Sequence, residues 1–486
     1  MTFIRKNIWT LLSRDPWDDV TEDYANAVAT MQARAVSDPT SWNFQAAIHG
    51  SYQTPPPGAS WNECQHAGWF FLPWHRMYLY YFERIVRAAV IENGGDPGWA
   101  LPYWNYDQPL PRNTLPKPLR TAMLPPPAGG ANPLFLKAPQ RDPIFVNGGQ
   151  LPKAVTSPAS AMRERRFVPG FGGPQSAPSG FNGGFGALEQ TPHNVVHVQL
   201  GGTSSPPCQG GLMIDPSCAA LDPVFWLHHA NIDRLWKRWL QQGGGRANPP
   251  DPAWLTQSFT FNDEFGSTVS MTCADVLDTA RQLDYVYDDD PPATGMPMPI
   301  APPTPPTPPG GPPEMVAASD RPVELTGNRV SVSLSVAPAA RPRLRGGGLG
   351  ITGGEDAPIY LNVEDIDAPR NPGLVYGVYV NAPAGASADE REAYHVGNVS
   401  LFGIEAVRDP NRIHSVPGLR HTFNISHLVD RLRATNRWNP DTIDVSFEPI
   451  VPLARPTGIG LAPELPQLRT AADIPVRIGR VSLFIG

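Results

Sequence analysis

The chain has 486 residues, more than one hydrophobic core usually serves, so two domains are expected. Hydrophobic residues reach 41%, enough for a real core, while a formal charge of −7 without a long Lys/Arg run excludes a nucleic-acid partner. Charged residues are only 17%, and 59 Pro with 45 Gly exclude a continuous helical array in favour of a loop-rich globular protein.

Before Arg14 and Asp15 there is no apolar run of the length a secretory signal needs. No stretch approaches about eighteen uninterrupted apolar residues, so no membrane span is expected. Four Cys do not make a disulfide scaffold in a chain this long. The expectation is a soluble, cytoplasmic protein.

In chain order, residues 21–49 carry Tyr24, Ala27, Val28, Met31 and Ala35 at helical spacing, break at Asp38-Pro39 and resume at Trp42. Residues 74–90 predict an apolar, aromatic helix. Thr191-Pro192 opens a short one through His193 and His197, with Pro at an allowed first-turn position. Asp222-Pro223 opens another over 224–240. Gly- and Pro-rich loops separate them at 124–130 and 169–186. Residues 291–313 read as an extended proline-rich spacer. Beyond it, 329–337, 359–363, 374–381, 397–402, 442–447 and 476–484 alternate or are β-branched, which predicts a mainly β sandwich or small barrel. The expected organisation is a mainly α catalytic domain over 1–290, a linker over 291–320 and a β-rich domain over 321–486.

Seven of the eleven His fall in the first 229 residues, and none lies between Ala230 and Tyr394. His193 and His197 stand four apart, so on a helix both rings share one face and can grip one ion; two ordinary His would show the same spacing. His66 and His75 bracket Trp69, Phe70, Phe71 and Trp74, and imidazoles buried among aromatics need partners for their nitrogens. His228 and His229 point about 100° apart on a helix, so one is a ligand and the other packs. Asp233, four residues past His229, is placed to orient a ligand or a neighbouring Arg. Four His-bearing helices predict a metal in a bundle core. Two three-His sites follow: His49, His66 and His75, then His193, His197 and His229. Such ligation suits copper or zinc, and residue types alone do not choose between them.

Residues 66–83 and 222–233 resemble the two copper-binding signatures of tyrosinases, catechol oxidases and molluscan haemocyanins, with every defining position present. Ile48-His49-Gly50 occupies the place of the first ligand, and Tyr285-Val286-Tyr287 resembles the tyrosine motif that closes the catalytic domain. The resemblance spans roughly residues 1–288 and implies a four-helix bundle holding two copper ions, with His229 rather than His228 as the sixth ligand. It also implies a thioether between Cys64 and His66, as in fungal and molluscan relatives; a reduced buried Cys is the alternative. Cys208 and Cys218 could pair, but a cytoplasmic setting argues against a stable disulfide.

The implied reaction takes small phenols and dioxygen. A catechol gives up two electrons to become an o-quinone, and a monophenol is first deprotonated and hydroxylated ortho. In relatives a Glu–Asn pair, matched here by Glu189 and Asn194, orients a water that deprotonates the phenol. Val195, Val198 and Gly201-Gly202 are expected to line the pocket, with residues 181–185 as a Gly-hinged rim. Related C-terminal domains cover the copper site and insert a side chain; the sequence alone assigns no such residue. Rival readings are a catechol or o-aminophenol oxidase without monophenolase activity, a haemocyanin-like oxygen carrier and, more distantly, a zinc hydrolase. A homo-oligomer is compatible with all of them.

Overall fold

The computed structural model describes residues 2–13, 15, 17–178, 184–291, 299–301, 313–345, 357–408, 418–452 and 474–486. Residues 181–183 of the expected rim and most of the expected linker lie outside the described residues.

The longer helices of the first domain, among the described residues, are α1 (Asp19–Ala33), α2 (Trp42–His49), α3 (Phe71–Glu92), α4 (Val195–Gly201) and α5 (Pro223–Gln241). Three of them start on a side-chain cap. The Asp18 carboxylate accepts from Val20 N–H while Thr21 Oγ1 accepts from Asp18 N–H, closing a reciprocal cap on α1. Ser41 caps α2, and Asp222 caps α5 with Pro223 in its first turn. Tyr24, Ala27, Val28 and Met31 face inward from α1 as their spacing predicts. Helix α1 packs on α2 and α3, and α3 packs on α5. The approach to α4 is a helical segment, Glu189–Asn194, kinked where Thr191 is extended (φ −146°, ψ 121°). A residue before proline is pushed to that region, which is why the helix turns at Pro192 and aims His193 and His197 from the new axis.

A buried ionic cluster ties these helices together. Arg5, on strand β1 (Phe3–Arg5), donates to Glu83 of α3 at 2.7 Å. Asp233 of α5 accepts from Arg76 of α3, from Arg5 and from the hydroxyls of Tyr285 (2.6 Å) and Tyr287. Those tyrosines lie on β4 (Tyr285–Tyr287), which pairs in parallel with β1; β2 (Ser258–Asn262) and β3 (Thr268–Thr272) form a separate hairpin. Asp233 thus orients two arginines and closes the domain around the helix pair that carries His75 and His229. A carboxylate in the interior is tolerated only when matched this fully.

Among the described residues the second domain is a nine-stranded sheet: β5 (Glu314–Ala318), β6 (Val323–Leu325), β7 (Val330–Val336), β8 (Ile359–Asp367), β9 (Val375–Val380), β10 (His395–Val399), β11 (Leu419–Asn424), β12 (Ile443–Ile450) and β13 (Val476–Ile485). The path runs β10-β9-β12-β7-β5-β13-β8-β11 with β6 on β13, and its ends, β10 and β11, meet, so the sheet nearly closes into a barrel.

Two parts of the expected linker are bonded to their neighbours. Strand β5 begins at Glu314, inside the segment read as linker, because Met315 to Ala318 pair with β13 and Ala317–Ala318 with β7. Within the proline-rich stretch, Pro299 O accepts from Asn248 N–H at 2.9 Å and Ala301 N–H donates back to Asn248 O at 2.9 Å, so this part is bonded to the first domain. Among the described residues no helix is long and apolar enough to cross a membrane.

Candidate metal centre

The six sequence-marked imidazoles converge. His49 ends α2, His66 lies in the loop before α3, His75 sits in its first turns, His193 and His197 flank the start of α4, and His229 is on α5. All are 3% exposed or less, so no water can compensate a misplaced nitrogen.

In the second triad, His229 Nε2 stands 3.3 Å from His193 Nε2 and 3.3 Å from His197 Nε2. Nitrogens placed tetrahedrally about 2.0–2.1 Å from one first-row ion would stand about 3.3 Å apart, so the set fits a metal. In the first triad the ring centroids are 5.2 Å (His49–His66), 5.1 Å (His66–His75) and 5.6 Å (His49–His75) apart. The donor atoms of His49, His66 and Cys64 lie within 4.8 Å of one another, a group that leaves out His75. The triads face each other: the rings of His75 and His229 stack with centroids 4.6 Å apart.

The tautomers of four of these rings are set from outside. The Nδ1–H of His49 donates to Pro216 O (2.8 Å), of His75 to Phe71 O (2.8 Å), of His193 to Asn194 Oδ1 (2.7 Å) and of His197 to Met213 O (2.7 Å). Each bond leaves Nε2 as the lone pair, the arrangement metal-bound His needs. Burial first, and neighbouring imidazoles second, push the proton affinities of His75, His193, His197 and His229 far below the ordinary value, so the rings stay neutral. His75 Nε2 has no hydrogen-bond partner among the described residues. His228 shares a 3.1 Å bond with the Tyr106 hydroxyl through Nδ1, and burial lowers its pKa to about 3, yet one of its ring nitrogens still lies within 4.8 Å of those of His193, His197 and His229, so four imidazoles rather than three gather there.

Glu189 is fully buried, and both its oxygens accept from Ala67 N–H, at 2.9 and 3.1 Å. Burial raises its proton affinity well above that of an ordinary carboxylate, against the lowering by the Ala67 and Gly186 N–H groups. No hydrogen bond joins it to Asn194 among the described residues; the Asn194 amide oxygen serves His193, and its Nδ2 has no partner. Val195 and Val198 are fully buried. A methyl group on Gly201 would stand 2.3 Å from Ile214 N, so this glycine permits a backbone approach from the 208–218 loop. Cys64 is buried and outside any disulfide. Cys208 and Cys218 are joined, against expectation: a ten-residue separation brings their Cα atoms to 5.6 Å, within disulfide range.

One residue was invisible in the sequence. Phe402, from the second domain, places its ring centroid 4.4 Å from that of His197 and 5.6 Å from those of His66 and His193. The strand expected to run to 402 stops at Val399, and Gly403 at φ 89° turns the chain so that Phe402 projects over both triads. The only available signal was that Phe-Gly pair. A polar seam holds it there: Gln190 Nε2 donates to Thr422 O (3.0 Å), Asn398 Nδ2 to Ala154 O (2.7 Å), and His421 lies 3.3 Å from Gln190 Oε1.

Comparisons with known proteins identify the family. The common central domain of tyrosinase matches residues 39–135 and 150–242, the polyphenol oxidase middle domain 248–294, and a domain of unknown function 312–462. The chain is 32% identical to the tyrosinase HcTyr1 of Hahella sp. (strain CCB-MM4), covering 99% of this chain and 98% of that one. It is 29% identical to the latent chloroplastic polyphenol oxidase of Prunus armeniaca, over 76% of this chain and 61% of that protein. Its fold resembles the solved structure of latent apple tyrosinase, with TM-score 0.64, 24% identity and coverage of 100% and 97%. The chain therefore belongs to the tyrosinase and polyphenol oxidase family of copper oxidoreductases, which oxidise o-diphenols.

Proposed function

We propose that this protein hydroxylates monophenols at the ortho position and oxidises the resulting o-diphenols to o-quinones, with the β-rich domain as a lid over the site. The carrying observation is the meeting of two buried imidazole triads beneath one aromatic ring. His49, His66 and His75 would hold one copper, and His193, His197 and His229 the other. Bound copper supplies dioxygen binding and the redox capacity for two-electron oxidation of a catechol.

The chain's own residues position and deprotonate. The Phe402 ring marks the volume a phenol ring would fill, against His197. Asn194 fixes His193 through Oδ1, and its Nδ2–H, without a partner among the described residues, would be left to donate to a water or a phenol oxygen. Glu189, with raised proton affinity, takes the phenol proton through that water. A thioether between Cys64 and His66 would restrict rotation of that ring; the proximity of their donor atoms supports it.

A second reading, a catechol oxidase without the hydroxylation step, is favoured by one observation: both Glu189 oxygens are engaged by Ala67 N–H rather than aimed at Asn194. Turnover of tyrosine, catechol and o-aminophenol by copper-loaded protein cleaved within residues 291–313 decides between them. Tyrosine hydroxylation that falls at least tenfold more than catechol oxidation in Glu189→Gln is expected. Catechol oxidation with no tyrosine turnover would leave only the second reading.

A further inference from the structure

The four tautomer-setting hydrogen bonds fall into two kinds. His75 and His193 find acceptors next to themselves: Phe71 O lies one turn back on the same helix, and Asn194 is the adjacent residue. His49 and His197 do not. Both depend on one distant segment, residues 208–218, whose Pro216 O and Met213 O accept from them at 2.8 and 2.7 Å. These two imidazoles belong to different triads. One short loop therefore orients a ligand of each ion.

That loop is closed by Cys208–Cys218, and it is wedged between the elements it serves. A methyl group on Gly50, the residue after His49, would stand 2.6 Å from Pro216 O. One on Gly201, at the end of the helix carrying His197, would stand 2.3 Å from Ile214 N, and one on Gly211 would stand 1.5 Å from Gly201 O. Inside the loop, Asp215 Oδ1 accepts from Ser217 N–H (2.9 Å), Asp215 O from Cys218 N–H (2.9 Å), and Asp215 Oδ2 from the Tyr52 hydroxyl (2.7 Å). Met213 and Pro216 are thus locked in one register at the bottom of a covalent ring.

We infer that the Cys208–Cys218 disulfide is a positioning device for both metal sites: it holds Met213 O and Pro216 O in place and so keeps His197 and His49 presenting Nε2 to their ions. The inference rests on the ligand assignment above. With the bridge absent the loop gains freedom, both rings can turn, and each ion loses one oriented ligand while His75 and His193 keep theirs.

The test uses full-length Cys208→Ala/Cys218→Ala protein loaded with copper and challenged with excess EDTA, following copper retained per chain over time. Work is done well below the melting temperature of every variant. Release of both ions accelerated by about tenfold or more is expected, as for other losses of a ligand's orienting partner. Val481→Ala, a cavity variant in the distant β13, should release copper at the parent rate. Should the double variant fail to fold, Gly50→Ala serves instead: displacing Pro216 O, it should speed release of one ion only. Release at the parent rate, acceleration of a single ion in the double variant, or equal acceleration in Val481→Ala overturns the inference. If the parent chain binds no copper, the ligand assignment itself has failed, a different result from parent-like retention in the variant.

Discussion

If the β-rich domain is a lid, Phe402→Ala should wake the uncleaved protein. The ring is fully buried against His197, His66 and His193 in the closed arrangement and would be wet in an open one. Truncating a buried Phe costs about 3–5 kcal/mol, and the loss falls on the closed form. Taking about 3 kcal/mol, at roughly 1.4 kcal/mol per decade, the closed-to-open ratio falls at least a hundredfold. The assay is kcat/KM for catechol in four samples: parent and variant, each intact and cleaved within residues 291–313. Intact variant should approach the activity of cleaved parent, and cleavage should add little to it. Equal activity of intact parent and intact variant, with cleaved parent far more active, would refute the role of Phe402. No effect of cleavage on the parent would refute the lid.

Two further outcomes follow from the buried groups. Asp233→Asn breaks a buried ionic cluster and should cost about 3–5 kcal/mol, roughly 6–10 °C in the melting temperature of the first domain, by calorimetry. Burial pushes the Asp233 carboxyl up, but Arg76 and Arg5 outweigh it and hold it below the ordinary range. Its folded pKa therefore lies under its unfolded one, so its stabilisation is complete above about pH 4 and fades as pH falls through the folded value. The melting temperature of Asp233→Asn should accordingly lose this part of the parent's acid sensitivity. For the thioether, intact mass spectrometry of unreduced protein should show four hydrogens fewer than the sequence: two for Cys208–Cys218 and two for Cys64–His66. A deficit of two hydrogens that disappears on reduction would leave Cys64 as a thiol.

The site was legible where the chemistry is local. Residues four apart on a helix fix His193 and His197 to one face, and Pro192 and Pro223 announce helix starts whatever surrounds them. The choice of His229 over His228 came from resemblance; in the structure His229 Nε2 meets the Nε2 atoms of His193 and His197, while His228 Nδ1 is bonded to the Tyr106 hydroxyl. What could not be read depends on contacts between distant segments. Phe402 is an ordinary apolar residue until the second domain docks. Strands β5, β6 and β11 are short or carry polar residues, and their partners lie far along the chain. Cys208 and Cys218 were judged by compartment, whereas the geometry of their loop brings them together. Asp233 was read as serving a ligand or an arginine, and it serves arginines.

Copper counting reaches the central claim most directly. Elemental analysis of fully loaded, dialysed protein should give two copper ions per chain, falling to one in His229→Ala and staying at two in His228→Ala. One ion or fewer in the parent, or loss of copper in His228→Ala with none in His229→Ala, would contradict the account.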